Sequence, residues 1–298
     1  MNLIQAFQTI TPLRVAFVGA GGKSTALFEL ARQLATPVLI TTTTHLRSDE
    51  TRFADHHVIL KPEDELIDPA QVISGLILLT GELTNHQYSR LSADQLQLLK
   101  RYADIHNLPI LIEADSSSKL PIKAPAEQEP LIPDWCRSVV VVAGLSALGK
   151  PIKDETIQHM DEFCRLSKSQ PGALITSDLI LKVLTHPQGG LKSIPPGTMK
   201  ICLLNQADTD ITSGQAAEMA QNLLPAYDRV VIATLEKKII KACYQKIAGI
   251  ILAAGGATRY GELKQVVVWN DRPLVWYSVQ AALVAGLSPV IVVTGAGA

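Results

Sequence analysis

The sequence predicts an α/β protein: a mainly parallel sheet covered by helices on both faces. Two observations carry that expectation, and a third adds a smaller unit at the C-terminus. Short apolar runs with a β-branched bias alternate with longer stretches whose apolar residues have helical spacing. Strands buried on both faces and their covering helices produce that pattern. The residues able to do chemistry cluster just after the apolar runs, where a parallel sheet presents its carboxyl ends to ligands. Near residue 246 the pattern begins again with a new strand and a glycine turn.

The chain has 298 residues, enough for two domains or one large one, and its 47% hydrophobic and 18% charged residues are ordinary for a soluble α/β protein. A formal net charge of −1 supplies no cationic surface for nucleic acid. Cys136, Cys164, Cys202 and Cys243 are scattered without a C-x-x-C, so neither a zinc knuckle nor a disulfide frame is expected. No apolar run reaches the length of a membrane span, so no membrane partner is expected. The N-terminus lacks a basic start followed by an apolar core, which makes the cytoplasm the expected location.

In order, residues 1–13 form a short amphipathic lead-in ended by Pro12. Residues 15–18 (VAFV) read as a buried strand and 26–34 (ALFELARQL) as a helix. Residues 37–41 (PVLIT) are a second strand; 58–60 and 76–80 are further short apolar runs. Residues 92–106 read as a helix with Ser92 as N-cap. Residues 108–113 (LPILIE) and 138–143 (SVVVVA) are strands. Helices are expected over 154–169 and from a Ser177 cap to Leu184. A strand at 200–204 (KICLL), a helix at 211–224 and a strand at 229–233 (RVVIA) follow.

The first strand runs into GAGGKST, residues 19–25. Strand, glycine loop, Lys-Ser/Thr and helix form the layout of a phosphate cradle. Glycines let backbone N–H groups approach phosphate, and the helix N-terminus adds a positive dipole. Lys23 can reach the outer phosphates and the Ser24 hydroxyl can ligate Mg²⁺. The long form G-x-x-x-x-G-K-S/T fails, because its first glycine position is Phe17. The loop is the short form, Gly19-x-x-Gly22-Lys23-Ser24, which resembles that of Mur-ligase-type and some metallochaperone-type P-loop proteins. A plain glycine turn with a surface lysine is the alternative.

Glu113-Ala114-Asp115 ends the strand 108–113, where P-loop proteins hold Mg²⁺, with Asp115 the first choice and Glu113 the second. Turn capping ahead of Ser116, Ser117 and Ser118 is the competing role. Thr41, Thr42, Thr43 and Thr44 with His45 follow the second strand. Their hydroxyls suit phosphate or an attacking water, although threonines also simply fit a strand. Residues 119–133 (KLPIKAPAEQEPLIP) are too proline-rich for helix or central strand. They read as an irregular surface loop from which Lys119 and Lys123 could face an anion. Asn205-Gln206-Ala207-Asp208 resembles the base-reading N-K-x-D of GTPases, with Gln for Lys. A carboxylate at Asp208 can accept two N–H bonds from a guanine edge, and turn or cap roles are the alternative. His159 reads as a surface histidine.

Residues 246–254 (KIAGIILAA) start the second unit. Leu252, Ala253, Ala254, Gly255, Arg259, Gly261 and Lys264 stand at the L, A, A, G, R, G and K of L-A-A-G-x-S/T-x-R-M/F-G-x-x-K, with Tyr260 departing from the usual residue. They resemble the opening of MobA-like nucleotidyltransferases, including molybdenum-cofactor cytidylyltransferases. The resemblance implies an incomplete Rossmann-like nucleotidyltransferase segment. Its glycine loop would wrap a triphosphate, with Arg259 and Lys264 on the phosphates. Its nearby carboxylates, Glu262 and Asp271, are poorly placed as metal ligands, so the segment is expected to be inactive as it stands.

Residues 1–245 resemble the YqeC family, accessory proteins of selenium-dependent molybdenum hydroxylases. The residues that carry this are GAGGKST (19–25), TTTTH (41–45), EAD (113–115), KAPAEQEP (123–130), His159, HPQGGLK (186–192) and NQAD (205–208). The family usually has E-A-D-G-S-R, where this chain has Ser116 and Lys119. The resemblance implies nucleotide binding in the maturation of a selenium-containing molybdenum hydroxylase, with that enzyme or its cofactor as partner.

Two domains are therefore expected: residues 1–245, a P-loop NTPase-like nucleotide-binding domain, and residues 246–298, the MobA-like segment. Gly19, Gly21, Gly22, Lys23, Ser24 and Thr25 would cradle ATP or GTP. Ser24 and Asp115 would hold Mg²⁺, with Asn205 and Asp208 on the base. Lys23, Asp115 and Glu113 would carry nucleotide hydrolysis. The rival functions are a CTP-dependent molybdenum-cofactor nucleotidyltransferase cut short here, and a non-catalytic carrier switched by nucleotide.

Overall fold

The computed structural model describes residues 1–61, 64, 74–116, 118–255 and 263–295. The chain divides into two compact units, Met1–Tyr244 and Gln245–Ala298.

The first unit is built on nine strands: β1 (Arg14–Gly19), β2 (Val38–Thr42), β3 (His56–Ile59), β4 (Leu76–Thr80), β5 (Ile110–Glu113), β6 (Ser138–Gly144), β7 (Met199–Asn205), β8 (Arg229–Thr234) and β9 (Ile239–Gln245). They form one sheet in the order β9-β8-β7-β6-β1-β5-β2-β4-β3. Every neighbouring pair from β8 to β3 is parallel. The chain builds outward from β1 on one side, returns to insert β5 beside β1, then crosses to β6 on the other side. That reversal opens a crevice at the carboxyl ends of β1, β5 and β6, the place where such sheets bind ligands.

Alternation along each strand divides the core in two, as a period of two requires. Val15, Phe17, Ile40, Leu78, Leu111, Val140, Leu203 and Val231 face one side. There they meet α1 (Leu3–Phe7) and Ala26, Leu27, Leu30 and Ala31 of α2 (Lys23–Ala31). Ala16, Val18, Leu39, Ile77, Ile112, Val139, Val141, Cys202 and Ile232 face the other. That side is covered by α3 (Ala93–Ile105), α4 (Met160–Ser167), α5 (Ser177–Thr185) and α6 (Asp210–Leu223). Helices thus lie on both faces.

The sequence placed most elements within two or three residues, with several departures, among them β9 (Ile239–Gln245), an edge strand the sequence did not suggest. Ser92 caps α3 as expected, and Gln95 completes a reciprocal capping box. The helix expected over 154–169 is shorter, because Ile157–Gln158 instead pairs with Ile122–Lys123 in a two-strand ladder. That ladder also gives the proline-rich loop a regular segment. The cap of α5 is Thr176, whose hydroxyl accepts the Leu179 N–H, one residue before the expected Ser177.

The second unit has β10 (Gly249–Ala253) and β11 (Val290–Thr294), a parallel pair joined through α7 (Leu274–Val284). No residue of α7 is buried, and Leu252 of β10 is 79% exposed.

Leu203, on the interior strand β7, is fully buried. Leu203→Ala should cost about 2–5 kcal/mol of stability, as deletions of buried leucine side chains do, read as a lower urea midpoint at unchanged slope.

Candidate functional site

The site grows out of the end of β1. Residues 19–22 turn the chain so that α2 begins at Lys23. Gly21 sits at φ +79°, and a Cβ there would lie 2.3 Å from the Gly144 nitrogen at the end of β6. Gly22 sits at φ +115°, where a Cβ would lie 2.3 Å from Asn205 Nδ2. Only glycine combines that backbone conformation with that closeness.

Amide bookkeeping divides the loop. Gly19 N–H donates to Asp115 Oδ2 at 2.8 Å, Ala20 N–H to the Val142 carbonyl at 3.0 Å, and Gly21 N–H to the Leu120 carbonyl at 3.0 Å. These three hold the loop down. The amides of Gly22, Lys23, Ser24 and Thr25, the opening turn of α2, find no acceptor among the described residues. They are the orphan donors of a helix N-terminus, pointed at the crevice.

Lys23 is 1% exposed. Its ammonium bonds the carboxylate and the carbonyl of Asp115 and lies 3.3 Å from Glu113 Oε1. Burial alone would lower its pKa, but the charges of Asp115 and Glu113 outweigh that and hold it above the ordinary lysine value. Asp115 is itself 2% exposed, and its Oδ2 lies 3.2 Å from Lys123 Nζ. Lys123 bonds Glu129 Oε2 at 2.6 Å and the Ser116 carbonyl. Burial is the largest influence on Glu129 and raises its pKa, but the bond and charge of Lys123 together with the bonds from Ser116 outweigh it and hold it below the ordinary value. Five side chains therefore form one ionic row: Glu113, Lys23, Asp115, Lys123, Glu129. Lys123 faces inward along this row, not outward to an anion, because two carboxylates and a carbonyl surround it. Lys119, the other lysine of that loop, is exposed.

Of the two acidic candidates, Glu113 is the one beside the serine. Ser24 Oγ lies 3.2 and 3.4 Å from its carboxylate oxygens. Asp115 is surrounded by donors and has no contact with Ser24 among the described residues. The threonine run braces Glu113 from β2: Thr42 Oγ1 and the Thr43 N–H both donate to its carbonyl, at 3.1 and 3.0 Å. Thr43 Oγ1 is buried without a partner among the described residues. Thr41 is occupied by the Leu79 carbonyl, and His45 is exposed. Partial burial and the charge of Glu113 raise the pKa of Glu50, so another carboxyl stands near that end of the row. Among the described residues no three His, Cys, Asp or Glu gather as a metal cage. Ser24 with Glu113 suits Mg²⁺, which takes one or two protein ligands and completes its shell with phosphate and water.

Asn205, at the end of β7, is 4% exposed and fully engaged. Its Nδ2 donates to the Gly21 carbonyl at 2.8 Å and its Oδ1 accepts the Leu235 N–H at 3.0 Å. It clamps the glycine loop to the end of β8, a role the base-reading motif did not suggest. Asp208 is partly exposed, 3.9 Å from Lys237. Gln206, at φ +60°, accepts a bond from Ser146 Oγ at 2.7 Å. His159 is exposed, and its Nδ1 is 2.9 Å from the Ala124 carbonyl. Lys192 donates to the carbonyls of Ala126 and Glu127 at 2.6 and 2.8 Å. Both brace the loop that carries Lys123 and Glu129. In the second unit, a Cβ at Gly255 would meet nothing among the described residues, and Lys264 begins a 3₁₀ turn. Arg259, Gly261 and Glu262 lie outside the described residues.

With this geometry in hand, comparison with known proteins is specific. Residues 15–161 match the family model of the YqeC protein. Residues 249–298 match that of the MobA-like NTP transferase domain. Both resemblances read from the sequence are borne out. Over 200 residues the chain is 28% identical to the uncharacterized protein YqeC of Escherichia coli (strain K12), spanning 65% of this chain and 76% of that one. No solved structure matches. The YqeC-like region contains the glycine loop, the threonine run and the whole ionic row. The MobA-like match attaches a nucleoside-triphosphate-using type of domain to it.

Because both ends of the Asn205 amide are used, Asn205→Asp sets a carboxylate oxygen against the Gly21 carbonyl. We expect a loss of about 1–3 kcal/mol, the usual cost of a buried group left without its donor, measured by thermal melting.

Proposed function

We propose that the first unit binds a nucleoside triphosphate with Mg²⁺ on residues 19–25 and hydrolyses it. The step so driven would be the maturation of a selenium-dependent molybdenum hydroxylase. The observation that carries the nucleotide reading is the set of four amides at the start of α2 left without an acceptor among the described residues, next to a buried lysine, at the crevice of a parallel sheet. That is a phosphate-sized cluster of donors with a positive dipole behind it. The YqeC-like region and the adjoining MobA-like segment support a nucleotide-related role, and the pathway rests on the family resemblance.

In this reading the amides of residues 22–25 bind the phosphate oxygens and Lys23 neutralises the outer phosphates. Ser24 and Glu113 hold Mg²⁺, which supplies charge compensation for the leaving phosphate. Asp208 and Lys237 flank the position for the base, since Asn205 is committed to the loop. A second reading, nucleotidyl transfer, is favoured by the match over residues 249–298. Asp271, its described carboxylate, stands in a turn, so pyrophosphate release from CTP with molybdopterin cofactor is not expected of this chain.

Lys23→Ala should reduce triphosphate affinity by about a hundredfold or more in calorimetry, since a charged bond to phosphate is lost. Unchanged affinity would remove the phosphate-loop reading. Glu113→Gln should remove most of the Mg²⁺ dependence while sparing metal-free binding. Equal Mg²⁺ dependence in both proteins would take Glu113 out of the metal site. If Asp208 reads guanine, GTP binds more tightly than ATP and Asp208→Asn narrows the difference, because an acceptor oxygen becomes a donor. Preference for ATP in the unmodified protein would end that assignment.

A further inference from the structure

The lysine that would serve the phosphates and an amide that anchors the loop are held by one carboxylate. Asp115 Oδ2 accepts the Gly19 N–H, and Oδ1 accepts the Lys23 ammonium. An anion made by the protein itself thus engages the glycine loop and its lysine. A triphosphate that recruits Lys23 would strip Asp115 of its main counter-charge, inside a site where that carboxylate is 2% exposed. An unpaired buried carboxylate is costly enough to oppose binding.

The surroundings supply a second partner. Lys123 Nζ is 3.2 Å from Asp115 Oδ2 on the side away from Lys23, and its side chain is 1% exposed. Lys123 is steered there by Glu129 and the Ser116 carbonyl, and the loop carrying it is pinned by Lys192 and His159. Asp115, Lys123, Pro125 and Pro130 also border a cavity of about 30 Å³. That is room for roughly one or two waters, and so for a carboxylate to shift by a fraction of its own width.

We propose that Asp115 is an internal occupant of the phosphate site, and that binding of a nucleoside triphosphate hands its carboxylate from Lys23 and the Gly19 amide to Lys123. Lys123 is then a positioning residue: it touches no phosphate, and it lowers the cost of releasing Lys23. Glu113, at the other end of the row, remains beside Ser24. This inference rests on the nucleotide reading above and adds a competitor and an acceptor for it. It also gives Asp115 a role different from the metal ligand that the sequence suggested.

The test uses the full chain, the β,γ-imido analogues of ATP and GTP with Mg²⁺, and titration calorimetry. Asp115→Asn keeps the shape and removes the competing charge, so it should bind the preferred analogue about tenfold more tightly than the unmodified protein. Lys123→Met should bind it about tenfold more weakly, and Lys123→Arg should recover most of the loss. In the double variant Asp115→Asn/Lys123→Met the Lys123 penalty should vanish, because no carboxylate remains to be received. A merely structural Lys123 would cost the same in either background. Should Asp115→Asn fail to fold by circular dichroism, the Met and Arg variants of Lys123 decide. A loss with Met that Arg does not restore, or no loss at all, overturns the proposal. So does Asp115→Asn affinity at or below that of the unmodified protein while Lys23→Ala abolishes binding, and there the nucleotide reading survives. Absence of binding in both the unmodified and Asp115→Asn proteins overturns the two together.

Discussion

The bond between Lys23 and Asp115 is the contact on which the centre of the first unit depends. Both groups are removed from water, and two charges brought out of water are tolerated only when each finds several good partners. Lys23 comes from the first turn of α2, Asp115 from the exit of β5, the Gly19 amide from the end of β1, and Lys123 from the loop before β6. Satisfying one ionic row therefore fixes four separate segments at the carboxyl edge of the sheet. Removing a single member of such a row strands its neighbour, a loss of about 3–5 kcal/mol for buried pairs. The row is long because it alternates: carboxylates at both ends and in the middle, lysines between them.

A second constraint acts on the same loop from the other side. Asn205 reaches from β7 to the Gly21 carbonyl and to the Leu235 amide at the end of β8. The glycine loop is thus held by β5 through Asp115, by β6 through the Val142 carbonyl, and by β7 through Asn205. Three consecutive amides are spent on this anchoring, and the next four are left over. A rigid loop with its donors already oriented binds an anion without first being ordered, which keeps the entropic cost of binding low. The close approaches at Gly21 and Gly22 are the steric side of the same arrangement.

The second unit follows different economics. One β-α-β segment has few partners for its apolar side chains, and Leu252, Val268, Trp269 and Val284 stay largely exposed. A parallel pair of strands cannot bury both of its faces with a single helix. The first unit, with helices on both faces of its sheet, buries nearly every apolar residue of the strands from β1 to β8, while those of the edge strand β9 stay half-buried or exposed.

By itself the sequence determined the α/β architecture of this protein and pointed to the carboxyl ends of its strands as the candidate site. Runs such as VAFV and SVVVVA are apolar without interruption, which only a strand covered on both faces sustains, and GAGGKST announces its own strand-loop-helix geometry. Ser92 and Gln95 specify a helix start through contacts three residues apart. These signals are local, so a linear reading recovers them. The tertiary structure decided which charges meet. Lys123 and Lys119 look alike in the sequence, yet one is buried against Asp115 and Glu129 while the other is exposed. Glu113 and Asp115 are two residues apart, but only Glu113 faces Ser24. Asn205 looked like a reader of bases and is instead a clamp on the loop 184 residues before it. Each of those outcomes is a pairing between segments distant in sequence, and the physical cost of leaving a buried charge or amide unpaired is felt only when the segments are brought together in the fold.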